Sequence, residues 1–104
     1  MSEGAERRVA GRVKVDLPVT YRLDDGPEHP ATVDNISRSG LLLVAGEAIR
    51  DGQRLLITFE DARRRRFTVV GAVVRSSPMG RLGVSFVHIE DATLEYVRDV
   101  LGVP

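Results

Sequence analysis

The chain has 104 residues and no cysteine. That length supports one domain with its own core, and the missing cysteines exclude a disulfide framework, a thiolate metal site and a cysteine nucleophile. Fifteen basic and fifteen acidic residues balance, so no strong overall field draws the molecule to nucleic acid or membrane. The sequence has no apolar run long enough for a membrane span and no secretory signal, which predicts a cytoplasmic protein without membrane insertion.

Fifteen valines and only five aromatic residues favour strands over helices. The first predicted strand follows residues 1–12, which are polar, lack periodicity and are expected to form a flexible arm. Apolar residues then occupy every odd position from Val13 to Leu23, the alternation of a half-buried strand. Pro18 has no N–H to donate, which places this strand at an edge or a bulge there. A turn at 24–27 closes a hairpin.

Five further strands are predicted at 30–36, 40–45, 53–60, 67–75 and 81–89. Polar turns separate them and no helix intervenes, which is typical of a small barrel whose closure removes exposed edges. Beyond Asp91, a predicted N-cap, apolar residues recur at Leu94, Val97 and Leu101 with helical spacing. The predicted fold is therefore all-β: residues 13–104 form a six-stranded antiparallel barrel, with a C-terminal helix at about 91–101 packed on it.

Four consecutive arginines, Arg63–Arg66, offer a phosphate or nucleic-acid patch. We favour a solvated hairpin turn instead, because alternation sends neighbouring side chains to opposite faces and no aromatic residue interleaves to stack bases. Glu60 and Asp61 would balance part of the charge.

The only histidines, His29 and His88, lack the converging partners that a metal site needs. No nucleophile elbow marks any of the six serines. The sequence thus predicts no enzymatic activity, no metal and no cofactor.

Two motifs remain. Arg8 and Arg12 form an Arg-x-x-x-Arg pair, a spacing that composition alone produces about twice in this chain. Residues 35–40 read Asn-Ile-Ser-Arg-Ser-Gly, which fits [Asp/Asn]-x-Ser-x-x-Gly, a pattern expected by chance only about 0.05 times. Taken alone, the hexapeptide fits an ordinary turn between the second and third strands as well as it fits a ligand site.

In this order, the motifs resemble the PilZ domain, the bacterial receptor module for cyclic diguanylate (c-di-GMP). The resemblance extends over nearly the whole chain. It includes the arginine arm, a first strand containing Leu-Pro-Val-Thr-Tyr at 17–21 and the turn motif 23 residues after Arg12. It also includes a final strand-to-helix segment that contains Gly-Val-Ser-Phe at 83–86. It implies a six-stranded barrel with a C-terminal helix, in agreement with the strand count.

The resemblance implies that Arg8, Arg12, Asn35, Ser37 and Gly40 bind c-di-GMP, with Arg7 and Arg38 as secondary contacts. The chemistry fits, because an arginine fork matches the O6 and N7 acceptors of guanine and can also stack on its face. Asn35 is an amide where many members carry a carboxylate, which changes the donors and acceptors offered to the N1–N2 edge of guanine.

The expected function is that of a non-catalytic receptor, a monomer or homodimer that relays c-di-GMP binding to a downstream protein. In this family the ligand often binds as a stacked pair, over which the arm closes. The alternative is a degenerate module of the same fold that binds a protein and no nucleotide. A small-barrel nucleic-acid binder using Arg63–Arg66 is a third possibility, against which the balanced charge weighs.

Overall fold

The computed structural model describes residues 11–104, and these form six strands and one helix. The elements are β1 (Val13–Arg22), β2 (His29–Ile36), β3 (Gly40–Val44), β4 (Arg54–Glu60), β5 (Arg66–Ser76), β6 (Arg81–Ile89) and helix α1 (Asp91–Asp99). Every strand predicted from the sequence is present, with boundaries displaced by no more than one residue. Of the predicted arm, only Gly11 and Arg12 lie within the described residues.

The strands form a closed barrel in the order β1-β2-β3-β6-β5-β4, and all neighbours are antiparallel. The predicted barrel is therefore confirmed. Strands β1 and β4 close it along a short join, Thr20–Arg22 against Leu56–Thr58. The part of β1 before this join pairs with β2 alone.

Strand β1 keeps its predicted alternation, with Val19 and Tyr21 buried inside and the intervening side chains outside or half-buried. Its register with β2 shifts between Lys14 and Leu17, and Asp16 there has φ 49°, a conformation that aspartate tolerates better than most residues. Pro18 lies just after this bulge, where β1 has no β4 partner. The predicted edge or bulge is thus confirmed, because the strand has both features near Pro18.

The core fills the barrel with aliphatic side chains and three aromatic rings. Tyr21 is almost fully buried, and its hydroxyl donates a hydrogen bond to Glu47 Oε2 in the loop after β3. Burial and this carboxylate raise the pKa of Tyr21. The largest fully buried side chains of the core are Tyr21, Val33, Ile36, Leu41, Leu43, Leu55, Ile57, Phe59, Val69, Val73, Leu82 and Val97.

Helix α1 begins differently from the sequence prediction. Its N-cap is Glu90, whose backbone is extended and whose side chain makes no capping bond, whereas Asp91 is the first helical residue. The predicted cap at Asp91 is therefore wrong by one position, although its carboxylate still lies in the first turn, where it complements the helix dipole. No helix within residues 11–104 is long and apolar enough to cross a membrane.

The helix packs on the barrel through Thr93, Tyr96 and Val97, which are buried, while Leu94 is only half-buried. Thr93 Oγ1 donates to Thr68 O at 2.9 Å, which ties the helix to β5. Tyr96 stacks on Phe67 with ring centroids 4.7 Å apart. The docked face is therefore rotated from the predicted Leu94–Val97–Leu101 stripe towards Tyr96, because the aromatic pair carries the contact with the sheet.

Candidate functional site

Two of the predicted ligand-binding residues meet at one edge of the barrel. Arg12 immediately precedes β1, and Asn35 lies near the end of β2, opposite Lys14 in the β1–β2 pairing. Arg12 Nη1 donates to Asn35 Oδ1 at 2.8 Å, although the residues are 23 apart in sequence. The hairpin therefore places Arg12, at the end of the arm, beside Asn35, the first residue of the turn motif.

Asn35 is held on its other side by Asp34. Asn35 Nδ2 donates to Asp34 Oδ2 at 2.9 Å, and Lys14 Nζ donates to Asp34 Oδ1 at 2.5 Å. The hydrogen bond from Lys14, followed by that from Asn35, lowers the pKa of Asp34. An ionised Asp34 thus fixes the Asn35 amide with its oxygen facing Arg12.

The remaining motif residues build the β2–β3 turn. Ser37 N donates to Gly40 O at 2.8 Å, and Ser39 N donates to Ser37 Oγ at 3.2 Å. Ser37 is nearly buried, and its hydroxyl helps to hold this turn. Arg38, at the tip of the turn, is exposed.

Gly40 is required by close packing. A Cβ at this position would lie 2.3 Å from the carbonyl oxygen of Val84 on β6. The absence of a side chain at Gly40 therefore allows the β3 and β6 backbones to approach closely. Arg7 and Arg8 lie outside the described residues.

A shallow cleft of about 250 Å³ extends from Arg12 and Asn35 across the outer wall. Register places Asn35 opposite Leu42, Leu42 opposite Gly83 and Gly83 opposite Arg75, so one row runs across β2, β3, β6 and β5. Val74 lines the same cleft. Leu42, Gly83 and Arg75 were not predicted from the sequence, because only the barrel register brings them to the motif residues.

The arginine run forms the β4–β5 hairpin, as predicted. Asp61 Oδ1 accepts bonds from the backbone N–H groups of Arg63 and Arg65, and Asp61 Oδ2 pairs with Arg65 Nε at 2.9 Å. Arg66 pairs with Glu28 at 2.6 Å. Two of the four guanidinium groups are thus engaged by carboxylates, which favours the structural interpretation of this run.

The two histidines lie apart from this cleft and from each other in the sheet. His29 packs against the Tyr21 ring with centroids 5.5 Å apart, and His88 is exposed on β6. Within residues 11–104, no three His, Cys, Asp or Glu side chains converge as metal ligands.

Solved structures of other proteins share this fold. PlzA of Borreliella burgdorferi, solved in complex with c-di-GMP, superposes with a TM-score of 0.69 at 17% identity over 94% of this chain and 42% of its own. The Bacillus subtilis inhibitor of motility MotI/DgrA gives 0.62 at 19% identity, over 86% of this chain and 49% of its own. The chain thus spans less than half the length of these two proteins.

A third structure is closer in size. The PilZ domain of CeSA from a cellulose-synthesizing bacterium superposes with a TM-score of 0.65 at 16% identity, covering 88% of this chain and 95% of its own. No curated protein sequence matches the chain. The PilZ domain model, however, matches residues 6–101, from the arm to the end of the helix. On that match and this barrel, the chain belongs to the PilZ domain family, a family of c-di-GMP receptors.

Proposed function

We propose that this chain is a non-catalytic receptor that binds c-di-GMP through Arg8, Arg12, Asn35, Ser37 and Gly40. The observation that carries the proposal is the 2.8 Å hydrogen bond between Arg12 and Asn35 at the end of the cleft. It joins the two ligand motifs, which the sequence separates by 23 residues.

The contact leaves most of the arginine available. A guanidinium has five N–H donors, and the bond to Asn35 uses one of them. Arg12 is exposed, so its fork can bind the O6 and N7 acceptors of a guanine or a phosphate oxygen without leaving a buried position. Asn35 Oδ1, released from Arg12, can then accept an N–H from the opposite edge of the base.

The turn motif supports this role by fixing geometry. Ser37 and Gly40 hold the chain just after Asn35 in one conformation, and Asp34 fixes its amide. A site organised before binding loses less conformational entropy when the ligand arrives. Arg8 would supply the second guanidinium, with Arg7 and Arg38 as additional phosphate contacts.

Signal output follows from ligand binding at this surface. The cleft is formed by the outer wall and the residues next to the arm, so a bound nucleotide changes the face that a downstream protein can contact. We therefore propose relay to a protein partner rather than a chemical reaction.

Titration calorimetry with c-di-GMP, and with a random oligonucleotide as the second titrant, tests the proposal. We expect saturable binding of c-di-GMP and negligible binding of the oligonucleotide. Binding of the oligonucleotide alone would favour a nucleic-acid binder, and binding of neither would leave the degenerate interaction module.

Matched variants locate the site. Arg12→Ala removes a charge-assisted contact worth about 1.5–3 kcal/mol, which corresponds to a loss of roughly 10- to 150-fold in affinity. Arg50→Ala removes an exposed arginine from a loop that does not line the cleft, so its affinity should equal that of the wild type. Equal losses in both variants would refute the assignment.

A further inference from the structure

Strand β5 contains a bulge that changes the direction of one side chain. Val73 pairs with Val84 and Arg75 pairs with Gly83, so β5 has one residue, Val74, more than β6 between these pairs. Val73 is buried in the core, whereas Val74 and Arg75 are both exposed. Strict alternation would have placed Arg75 on the same inner face as Val73; the extra residue turns it outwards into the cleft.

Arg75 is placed where it could contact the second base of a ligand that has two bases. Asn35 and Arg75 stand at opposite ends of the row across β2, β3, β6 and β5. Three strand spacings separate them, or about 14 Å. Between them lie Leu42, which gives the cleft an apolar floor, and Gly83, which has no side chain to cover that floor.

The electrostatics of the cleft also favour a ligand rich in acceptors. Arg12 and Arg75 are its two charged lining residues, and both are cationic. Among residues 11–104, no carboxylate forms a salt bridge with Arg75, whereas Arg65 and Arg66 each have one. The bulge therefore presents the guanidinium of Arg75 outwards, and no carboxylate among residues 11–104 pairs with it.

We propose that Arg75 is a further ligand-binding residue, which recognises the O6 and N7 atoms of the guanine lying at the end of the cleft away from Asn35. The inference rests on the proposed function and adds base selectivity to it. Arginine pairs bidentately with guanine at that edge, whereas adenine presents an N–H donor at position 6 that arginine cannot satisfy. The site accordingly prefers a ligand with two guanines over one with a guanine and an adenine.

The test compares c-di-GMP with the mixed cyclic dinucleotide that contains one guanine and one adenine, by calorimetry on the whole chain. Glutamine pairs with the N6 and N7 atoms of adenine, so Arg75→Gln should bind c-di-GMP roughly tenfold more weakly. The same variant should bind the mixed dinucleotide at least as well as the wild type does. The preference for c-di-GMP over the mixed ligand thus falls by at least tenfold. Arg54→Gln, an exposed arginine on β4 away from the cleft, should leave both affinities unchanged.

The outcomes separate this inference from the function on which it rests. If Arg12→Ala loses binding while Arg75→Gln keeps both wild-type affinities, the role of Arg75 is overturned and the proposed function stands. An equal loss for both ligands in Arg75→Gln would also overturn the role of Arg75, because a structural residue does not alter base preference. A wild-type chain that binds neither ligand would overturn both proposals. Should Arg75→Gln fail to fold, Arg75→Lys keeps the charge without the fork and should show the same loss for c-di-GMP.

Discussion

Asn35 donates its amide N–H to the carboxylate of its neighbour Asp34, Nδ2 to Oδ2 at 2.9 Å. This bond decides which way the amide faces, since the oxygen must then point towards Arg12. The [Asp/Asn]-x-Ser-x-x-Gly pattern also allows a carboxylate at the position of Asn35. Here the negative charge lies one residue earlier and is neutralised by Lys14, so the amide itself presents a neutral acceptor.

Asp34→Ala should weaken c-di-GMP binding severalfold without lowering the melting temperature appreciably. The Lys14–Asp34 pair lies at the surface, with Lys14 exposed and Asp34 half-buried, and surface ion pairs contribute little to stability. The loss in affinity would come from free rotation of the Asn35 amide. Asp16→Asn is the control, because Asp16 also pairs with Lys14 but does not bond Asn35. Calorimetry that gives equal affinities for the two variants would contradict the orienting role of Asp34.

Gly40→Ala should destabilise the barrel by about 1–3 kcal/mol, the usual cost of overpacking. Its new methyl would meet the Val84 carbonyl oxygen at 2.3 Å, where the β3 and β6 backbones cannot separate without breaking their pairing. Gly83→Ala is the matched variant, since its methyl would lie 3.5 Å from the nearest atom, an ordinary contact. Urea denaturation should show a clear shift for Gly40→Ala and a small one for Gly83→Ala; the reverse order would refute the argument.

Gly83→Leu should abolish or strongly weaken c-di-GMP binding while the chain still folds. The glycine forms part of the cleft floor between Leu42 and Arg75, and a leucine side chain there would fill the space that a base needs. Circular dichroism would verify the fold, and calorimetry would measure the loss. Full affinity in a folded Gly83→Leu protein would place the ligand elsewhere.

Val97→Asp should destabilise the protein by several kcal/mol, because Val97 is fully buried between helix and barrel and a carboxylate there would have no partner. Leu94→Asp should lower the free energy of unfolding by a smaller amount, since Leu94 is half-buried. Val100→Asp is the control, with 67% of that residue exposed. The melting temperature should be lowest for Val97→Asp, intermediate for Leu94→Asp and highest for Val100→Asp. Equal melting temperatures would mean that α1 does not dock on the barrel.

Unfolding in acid should depend on Asp34 and Asp61. Desolvation alone would raise the pKa of Asp61, but hydrogen bonds from Arg65 and Arg63 outweigh it and leave the pKa lowered. A carboxyl whose pKa is lower in the folded state binds more protons when unfolded, so it stabilises the fold above its usual pKa of 3.8. That stabilisation is lost as the pH falls through the folded pKa. Denaturation between pH 5 and about 2 should therefore show a shallower decline for the Asp34→Asn, Asp61→Asn double variant.

The sequence predicts the strands well because their signals are local. Alternation in β1 and the turn residues between strands do not depend on distant contacts. Helix α1 was less well described, since its buried face is decided by stacking of Tyr96 on Phe67, which lies in another element. The cap at Glu90 could not be recognised because its side chain makes no capping bond.

The candidate site was only partly predictable for a related reason. The family resemblance pointed to Arg12 and Asn35, and the structure places Arg12 Nη1 2.8 Å from Asn35 Oδ1. Arg75 carries no such signal: counted from Val73 by alternation, it belongs to the core face. Only the bulge at Val74 reverses that assignment, and a bulge depends on the register of two strands rather than on the residues themselves.

The short join between β1 and β4 has a consequence for the way the barrel opens. Because only Thr20–Arg22 of β1 pairs with β4, the wall has a seam along which β1 can separate from β4. Strands β2, β3, β6 and β5, which carry the row from Asn35 to Arg75, lie on the other side of the circumference. A nucleotide bound along that row would stabilise these four strands but not the join between β1 and β4. Amide exchange should therefore slow most around Leu42 and Gly83 and least at Thr20–Arg22.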